Sequence, residues 1–237
     1  MRSHQCGLKE SHREGRIRQR TQDSEHPVLI YGVIGREVRT YEEDSSMIEI
    51  VEYDARWPAE FAALARTLRE ALGDLALRID HIGSTSVPGL AAKDIIDVQV
   101  TVRDFACTPQ LVEALGAHGY TIAAEVTSDH LPPLYQGPAS DWEKRYFRPP
   151  AQQRRMHLHV RALGRPNQRY PILFRDYLCV HPVASAAYAQ IKLAMARRDP
   201  DDVEFYYDVK DPLCDIVIEA AEEWAQTTGW RMEESPQ

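Results

Sequence analysis

The sequence has few cysteines and no Cys-x-x-Cys pair. Its four cysteines, Cys6, Cys107, Cys179 and Cys214, are scattered along 237 residues. Structural zinc sites and disulfide frameworks need cysteines at close and regular spacings. The observed spacing argues against both kinds of scaffold and favours a reducing compartment.

Long apolar runs and an excess of positive charge are also missing. No segment approaches the roughly 20 apolar residues of a membrane helix, and the N-terminus lacks the apolar core of a secretory signal. The 36 acidic residues outnumber the 28 basic ones, which gives a formal net charge of -8. This balance argues against a nucleic-acid partner but allows a small anionic ligand in a local basic pocket. We expect a cytoplasmic protein that does not contact membranes.

The first 46 residues differ in composition from the rest of the chain. They are polar, mixed in charge and without sustained periodicity, which predicts disorder. Met47 directly precedes an alternating segment, so we interpret it as the initiator and residues 1–46 as an extension or a start-site artefact. Residues 47–230 are expected to form a single domain, and residues 231–237 a tail.

Hydrophobic periodicity predicts alternating strands and helices, followed by helices alone. Period-two alternation predicts strands over residues 48–54, 75–82, 94–102, 120–125, 144–148 and 155–163. Helical spacing predicts helices over residues 59–73, 109–119, 171–182, 183–198 and 212–229. Residues 127–153 form a predicted long loop around the short strand. This order indicates an α/β (α+β) domain with a helical C-terminal part.

A glycine and three hydroxyl residues follow the second predicted strand: Gly83, Ser84, Thr85 and Ser86. Glycine lets a backbone approach a ligand closely, and exposed N–H groups beside hydroxyls suit a phosphate. The stretch lacks the Gly-Lys-Ser/Thr ending of a P-loop and the third glycine of a dinucleotide fingerprint. Taken alone, it is better explained as a turn with local hydroxyl hydrogen bonds.

Two predicted strands carry polar side chains on one face. Alternation places Asp97 and Gln99 on the same side of a mostly apolar strand. A carboxylate there needs a metal ion or an arginine as partner, and a structural salt bridge is an equally good explanation. His157 and His159 likewise share a face of their strand, where two imidazoles can share a metal or a phosphate.

Basic residues flank these elements. Lys93 lies between the turn and the Asp97 strand, and Arg148 ends the short strand in the loop. Tyr188 and Lys192 are spaced i, i+4 and share a helix face. Each residue alone is better explained as a solvated surface group, but the set fits a polyphosphate pocket.

From about residue 48 to 224 the sequence resembles the GrpB family. The matching stretches are VEYDARWPAEF, HIGSTSVPGLAAKDIIDVQV, HLHV, FRDYL, AYAQIK and YYDVKDPL. That family is similar to the nucleotidyltransferase superfamily, which implies a mixed β-sheet with flanking helices and C-terminal helices. In active transferases, carboxylates hold two Mg²⁺ ions that bridge the nucleotide phosphates. The resemblance implies that Gly83 and Ser84 hold the triphosphate, with Lys192 and Tyr188 contributing from a helix.

The sequence departs from the superfamily pattern at two acidic positions. Gln99 stands at the second carboxylate position, where it can ligate through its carbonyl but cannot act as a base. His157 or His159 replaces the third carboxylate. The resemblance then implies Mg²⁺ or Mn²⁺ at Asp97, Gln99 and His159, and Asp97, His157 and His159 as catalytic residues.

Three functions are open on this reasoning. We favour, narrowly, a nucleotidyltransferase that moves a nucleoside monophosphate from a nucleoside triphosphate to a small-molecule acceptor. The second is a non-catalytic nucleotide- or phosphometabolite-binding module linked to coenzyme A metabolism, which Gln99 favours. The third is a metal-dependent hydrolase that uses the two histidines. Nucleotide and phosphate contacts are expected from Gly83, Ser84, Thr85, Ser86, Lys93, Arg148, Tyr188 and Lys192.

Overall fold

Five strands form one mixed sheet in the computed structural model, which describes residues 47–232. They are β1 (Arg78–Ile82), β2 (Ile96–Val102), β3 (Thr121–Ile122), β4 (Arg145–Arg148) and β5 (Met156–Ala162). Their order across the sheet is β1-β2-β5-β4-β3. The β2–β5 pair is parallel and the other three pairs are antiparallel.

Five α-helices accompany the sheet. They are α1 (Trp57–Leu72), α2 (Thr108–Gly116), α3 (Pro166–Val180), α4 (Pro182–Arg198) and α5 (Val203–Thr228). The first two helices alternate with the strands, and the last three follow the sheet as a helical part. The predicted α/β fold, a mixed sheet with flanking helices and a helical C-terminal part, is therefore confirmed.

The main core lies between the sheet and helices α1 and α2. Val98 and Val100 of β2 and Leu158 of β5 are fully buried there, together with Leu68 of α1 and Leu111 of α2. Each such side chain contributes about 1.5–3 kcal/mol by leaving water. Because strand side chains alternate, burying this apolar face turns the polar residues of β2 and β5 to the opposite face.

The predicted strand over residues 48–54 does not form. Val51 makes only an isolated antiparallel bridge with Ala92. Ile48 packs instead against Met195 and Tyr206. Alternation shows that one side of an extended segment is buried, and a segment lying against helices satisfies that pattern without joining the sheet.

Helices α3 and α5 begin earlier than the sequence predicted. The predicted starts were residues 171 and 212, and both positions are prolines that lie inside the helices. Proline favours a first helical turn because it lacks an N–H, so it was interpreted as a start. In α5 the true start is set by Asp202, whose side chain accepts a hydrogen bond from the backbone N–H of Phe205.

The structure describes neither end of the chain. The predicted extension over residues 1–46 lies outside the described residues, as does the predicted tail from residue 233 onward. Within residues 47–232, no helix has both the length and the apolar character needed to cross a membrane.

Replacing a core leucine tests the packing between α1 and the sheet. We expect Leu68→Ala to lower the free energy of unfolding by about 3 kcal/mol, because the fully buried side chain leaves a cavity. Leu163→Ala is the matched control, since this leucine is half exposed and should cost about 0.5 kcal/mol or less. Urea denaturation measures both, and equal losses would contradict the described core.

Candidate functional site

The parallel register of β2 and β5 aligns their polar residues in pairs. Asp97 lies opposite His157, and Gln99 lies opposite His159. Directly opposed residues point to the same face of a sheet. The two polar rows predicted separately from the sequence are therefore neighbours, and together they form one polar surface.

Three of these residues form a compact group, which we name the Asp97 cluster (Asp97, His157 and His159). Nδ1 of His157 lies 2.8 Å from Oδ1 of Asp97, and Nε2 of His159 lies 4.0 Å from the same oxygen. One ligand atom from each residue lies within 4.8 Å of the others. The predicted catalytic residues are thus brought together.

Gly83 allows the turn after β1 to touch this cluster. Its φ is +70°, and a Cβ placed on it would lie 2.0 Å from Oδ2 of Asp97. Any side chain at this position would therefore collide with the carboxylate and strain the backbone. From the sequence, Gly83 was interpreted as a point where the backbone approaches a ligand closely. In the structure, the group that it approaches is the carboxylate of Asp97.

Ser84 connects the turn to the helical part of the fold. Lys192 of α4 is almost fully buried, and its ammonium donates to Oγ of Ser84 at 2.8 Å and to the carbonyl of Ala91 at 2.7 Å. Burial, followed by repulsion from Lys210, lowers the pKa of Lys192 to about 7. An anion at this position would relieve both effects.

The other two hydroxyls of the turn make internal hydrogen bonds. Thr85 is buried, and its Oγ1 lies 3.0 Å from Nε2 of His81 and donates to the carbonyl of Ile95. Ser86 donates to the carbonyl of Gly83. These bonds hold the shape of the turn, so of the three predicted hydroxyls Ser84 is the one that contacts the buried lysine.

Two further predicted phosphate contacts lie in other surroundings. Tyr188 is buried between the helices, with its hydroxyl 3.6 Å from Sγ of Cys214. Nζ of Lys192 lies 4.7 Å from the centre of the Tyr188 ring. Arg148 forms an ion pair with Glu125 at 2.6 Å, and both side chains are partly exposed. Neither residue contacts Ser84 in the described hydrogen bonds.

Lys93 and Lys210 extend the positive charge around Lys192. Lys93 Nζ lies 4.8 Å from the ring centres of Tyr206 and Tyr207, and Lys210 Nζ lies 5.5 Å from that of Tyr207. Lys93 was predicted as a phosphate contact. Lys210 and Tyr207 are spaced i, i+3 on α5, and this spacing places both side chains on one helix face.

Gln99 does not join the Asp97 cluster through its amide. The side chain is fully buried, and Oε1 accepts a hydrogen bond from Arg161 at 2.7 Å. Nε2 donates to the carbonyl of Gln168 at 2.9 Å. Its predicted role as a metal ligand therefore competes with a buried guanidinium.

Beside Gln99 lies a group that we name the Asp129 network (Asp129, Lys144 and Arg161). Arg161 donates twice to Asp129, at 2.7 and 2.8 Å, and Lys144 donates to it at 3.0 Å. Burial alone would raise the pKa of Asp129, but the attraction of Arg161 and Lys144 outweighs it and holds that pKa well below its usual range. Arg161 continues the two-residue period of His157 and His159, and that period could have revealed it.

The network also acts on His159. Burial, and then repulsion from Lys144 and Arg161, holds the pKa of His159 well below its usual range. Its imidazole is therefore neutral at physiological pH. A neutral ring offers a lone pair on one nitrogen and a proton on the other.

Comparison with known proteins gives the family of the chain. The family model described as GrpB protein matches residues 47–220. The chain belongs to the GrpB family. A dephospho-CoA kinase of Mycolicibacterium paratuberculosis is 35% identical over 196 residues, which cover 78% of this chain and 48% of that relative. The GrpB-family chain thus spans about half the length of this relative.

A solved GrpB structure agrees with this assignment. The conserved protein GrpB from Enterococcus faecalis superposes with a TM-score of 0.60 at 29% identity, over 74% of this chain and 99% of its own. Cid1 poly(U) polymerase bound to MgGTP reaches a TM-score of 0.42 at 18% identity, over 60% of this chain and 43% of its own. The superposition on the GrpB structure supports the fold described above.

Asp94 of this GrpB-family protein lies outside the cluster. Its Oδ1 accepts a hydrogen bond from Nε1 of Trp57 at 2.8 Å and pairs with Arg154. The contact with Trp57 holds the Asp94 carboxylate beside α1. Asp94 is therefore a matched control for experiments on Asp97.

The donor atoms of the Asp97 cluster suit a divalent ion. Mg²⁺ prefers an all-oxygen shell, whereas imidazole nitrogens suit transition-metal ions such as Zn²⁺. Oδ1 of Asp97 and Nδ1 of His157 lie close enough to bind one ion together. Asp97 and His157 are therefore the residues of the cluster that could hold such an ion.

Adding a methyl group at Gly83 tests the contact with Asp97. Both glycines have positive φ, so we expect backbone strain to lower the free energy of unfolding by about 1 kcal/mol in Gly83→Ala and in Gly89→Ala. Gly83→Ala should cost about 2 kcal/mol more, since its Cβ overlaps the Asp97 carboxylate while Gly89 has open space. Denaturant unfolding compares the two variants, and an equal loss would contradict the described contact.

Proposed function

We propose that this GrpB-family protein is a metal-assisted nucleotidyltransferase that moves a nucleoside monophosphate from a nucleoside triphosphate to a small-molecule acceptor. One observation carries the proposal: Gly83 touches the Asp97 carboxylate while its neighbour Ser84 binds the buried Lys192. Phosphates held at Ser84 would therefore reach the Asp97 cluster. In this proposal Ser84 contacts the lysine that binds the anion, and Gly83 contacts the carboxylate that binds the cation. The two residues are adjacent in the chain.

The lysines form the phosphate side in this proposal. Lys192 contacts Ser84 directly, and the charges of Lys93 and Lys210 are close enough to lower the pKa of Lys192. Neutralising the charge of the phosphate chain is the main task in this kind of transfer. Three ammonium groups suit a ligand with several negative charges, such as a triphosphate.

Asp97 and His157 form the metal side. In the described structure the Asp97 carboxylate accepts a hydrogen bond from Nδ1 of His157, and these two residues would hold a divalent ion once that proton is lost. A bound divalent ion supplies Lewis-acid polarisation of the transferred phosphate. The acceptor hydroxyl forms a bond to the α-phosphorus, the bond to pyrophosphate breaks, and the acceptor proton passes to solvent.

A non-catalytic binding module is the second candidate. The supporting observation is Gln99, a neutral amide held by Arg161 where the superfamily pattern has a second carboxylate. A relative whose length the match covers to 48% is named dephospho-CoA kinase, which supports a role beside coenzyme A metabolism. A metal-dependent hydrolase, the third candidate, uses the same cluster with water as the acceptor. The cytoplasmic compartment and the absence of a nucleic-acid partner stay predictions from composition.

An activity assay separates these candidates. Purified protein is incubated with Mn²⁺, each labelled nucleoside triphosphate and a pool of small metabolites, and both pyrophosphate and labelled products are measured. We expect pyrophosphate release with transfer of the label to an acceptor. Asp97→Asn should lower the rate by about 10²-fold, because it removes the only carboxylate of the cluster among residues 47–232.

Asp94→Asn is the matched control and should keep the wild-type rate. Release of the free monophosphate without a labelled acceptor would instead identify a hydrolase. Nucleotide binding without release of pyrophosphate, in folded protein, would overturn the transferase in favour of the binding module. Equal loss in both variants would separate the activity from the Asp97 cluster.

Proton uptake tests the phosphate side. Because its pKa is about 7, Lys192 is mostly neutral in the free protein at pH about 8, and a bound phosphate should raise that pKa. Pyrophosphate binding should then take up about one proton at pH about 8 and close to none at pH about 5.5. Affinity for pyrophosphate should fall as the pH rises through 7.

Calorimetry in buffers of different ionisation enthalpy measures this uptake. Lys192→Arg is the control, because a guanidinium stays protonated throughout this range. Subtracting its signal removes the protons taken up by pyrophosphate itself. Identical uptake in both proteins would show that Lys192 is not at the phosphate site.

A further inference from the structure

The two ring nitrogens of His159 face groups of opposite character. Nζ of Lys144 lies 3.5 Å from Nδ1, and Oδ1 of Asp97 lies 4.0 Å from Nε2. An ammonium has donors and no acceptor, so the nitrogen beside it carries the lone pair. The ring proton of His159 then stands on Nε2, on the side of Asp97.

The Asp129 network holds Lys144 in this position. Lys144 is 8% exposed and donates to Asp129, which also accepts two hydrogen bonds from Arg161 and one from Asn167 at 3.0 Å. Two cations and one carboxylate leave this buried group with a net positive charge. This positive charge favours a lone pair on Nδ1 of His159, which faces the network. It also favours an anion on the other side of the ring, beside Nε2.

Gln99 belongs to the same half of the site. Its Oε1 accepts from Arg161, so the atom that would serve as a ligand already faces a cation. The half around Gln99 and His159 therefore presents cations and an N–H donor. The half around Asp97 and His157 presents the carboxylate.

We infer that His159 is a fixed hydrogen-bond donor to a phosphate oxygen and not a metal ligand. Lys144, Asp129 and Arg161 are positioning residues that set its tautomer. Only the identity of the anion, a phosphate oxygen of the nucleotide, rests on the proposed function. A preoriented donor at the position where negative charge develops stabilises a transition state without reorganisation. The sequence had assigned His159 to the metal shell, and its contact with Lys144 is the reason for this different role.

Nuclear magnetic resonance of protein labelled with nitrogen-15 in histidine tests the tautomer directly. In metal-free protein at neutral pH, His159 should be protonated on Nε2 alone. Lys144→Met should give mixed tautomers, and Lys144→Arg should restore the wild-type pattern, because either cation keeps the lone pair on Nδ1. The variants His159→Gln and His157→Gln assign the signals.

Arg165→Met is the matched control, because it removes a cation of the nearby Arg165–Asp141 ion pair and should leave the tautomer unchanged. Protonation of His159 on Nδ1, or on both nitrogens, in wild-type protein would overturn the inference. So would a wild-type pattern in Lys144→Met. A Lys144→Met variant that fails to fold leaves the wild-type spectrum as the deciding measurement.

Zn²⁺, a diamagnetic probe, tests the metal shell in the same spectra. We expect it to shift the ring nitrogens of His157 and to leave both nitrogens of His159 unligated. Ligation of His159 would overturn the inference while supporting an ion at the cluster. If Zn²⁺ shifts neither ring, the proposed ion site fails, and the metal-free tautomer still decides the role of His159.

Discussion

Parallel pairing of β2 with β5 is the constraint on which the polar surface depends. Each strand alone carries three polar side chains among mostly aliphatic ones. Neither strand forms the site without the other. Their register places Asp97 beside His157 and Gln99 beside His159. A slip of one residue would turn one row towards the apolar core, where unpaired polar groups are costly. The buried valines and leucines on the opposite face therefore fix the register and, with it, the site.

The polar surface is divided electrostatically into two unlike halves. The carboxylate of Asp97 dominates one half, and Gly83 is the residue that permits its close approach to the turn. Lys144 and Arg161 dominate the other half, with Asp129 offsetting only part of their charge. The proposed ligand, a nucleotide with its metal ion, carries both a cation and anionic oxygens, and this division of the surface supports that proposal. Gln99 stands where the sequence comparison expected a carboxylate, and Asp129, Lys144 and Arg161 accompany it. The departure from that pattern therefore involves a network of residues and not Gln99 alone.

Much of this arrangement was predictable from the sequence. Alternation correctly placed Asp97 with Gln99 and His157 with His159, because a strand has only two faces. The pairing of the strands was not predictable, since periodicity carries no information about neighbours. Asp129 lies in a loop without periodicity, so its role depends on tertiary contacts. Burial of Lys192 was equally hidden, because helical spacing alone does not distinguish a solvated lysine from one enclosed by a turn.

The contact between Lys192 and Ser84 also imposes an order of assembly. The two residues are 108 positions apart in the chain. Closing so long a segment carries an entropic cost that only the packed helical part offsets. During synthesis the strands and the Ser84 turn leave the ribosome well before α4, so the turn has no lysine until α4 has emerged. A nascent chain therefore contains the turn without its cation, and the contact between Ser84 and Lys192 forms only after α4 has been synthesised.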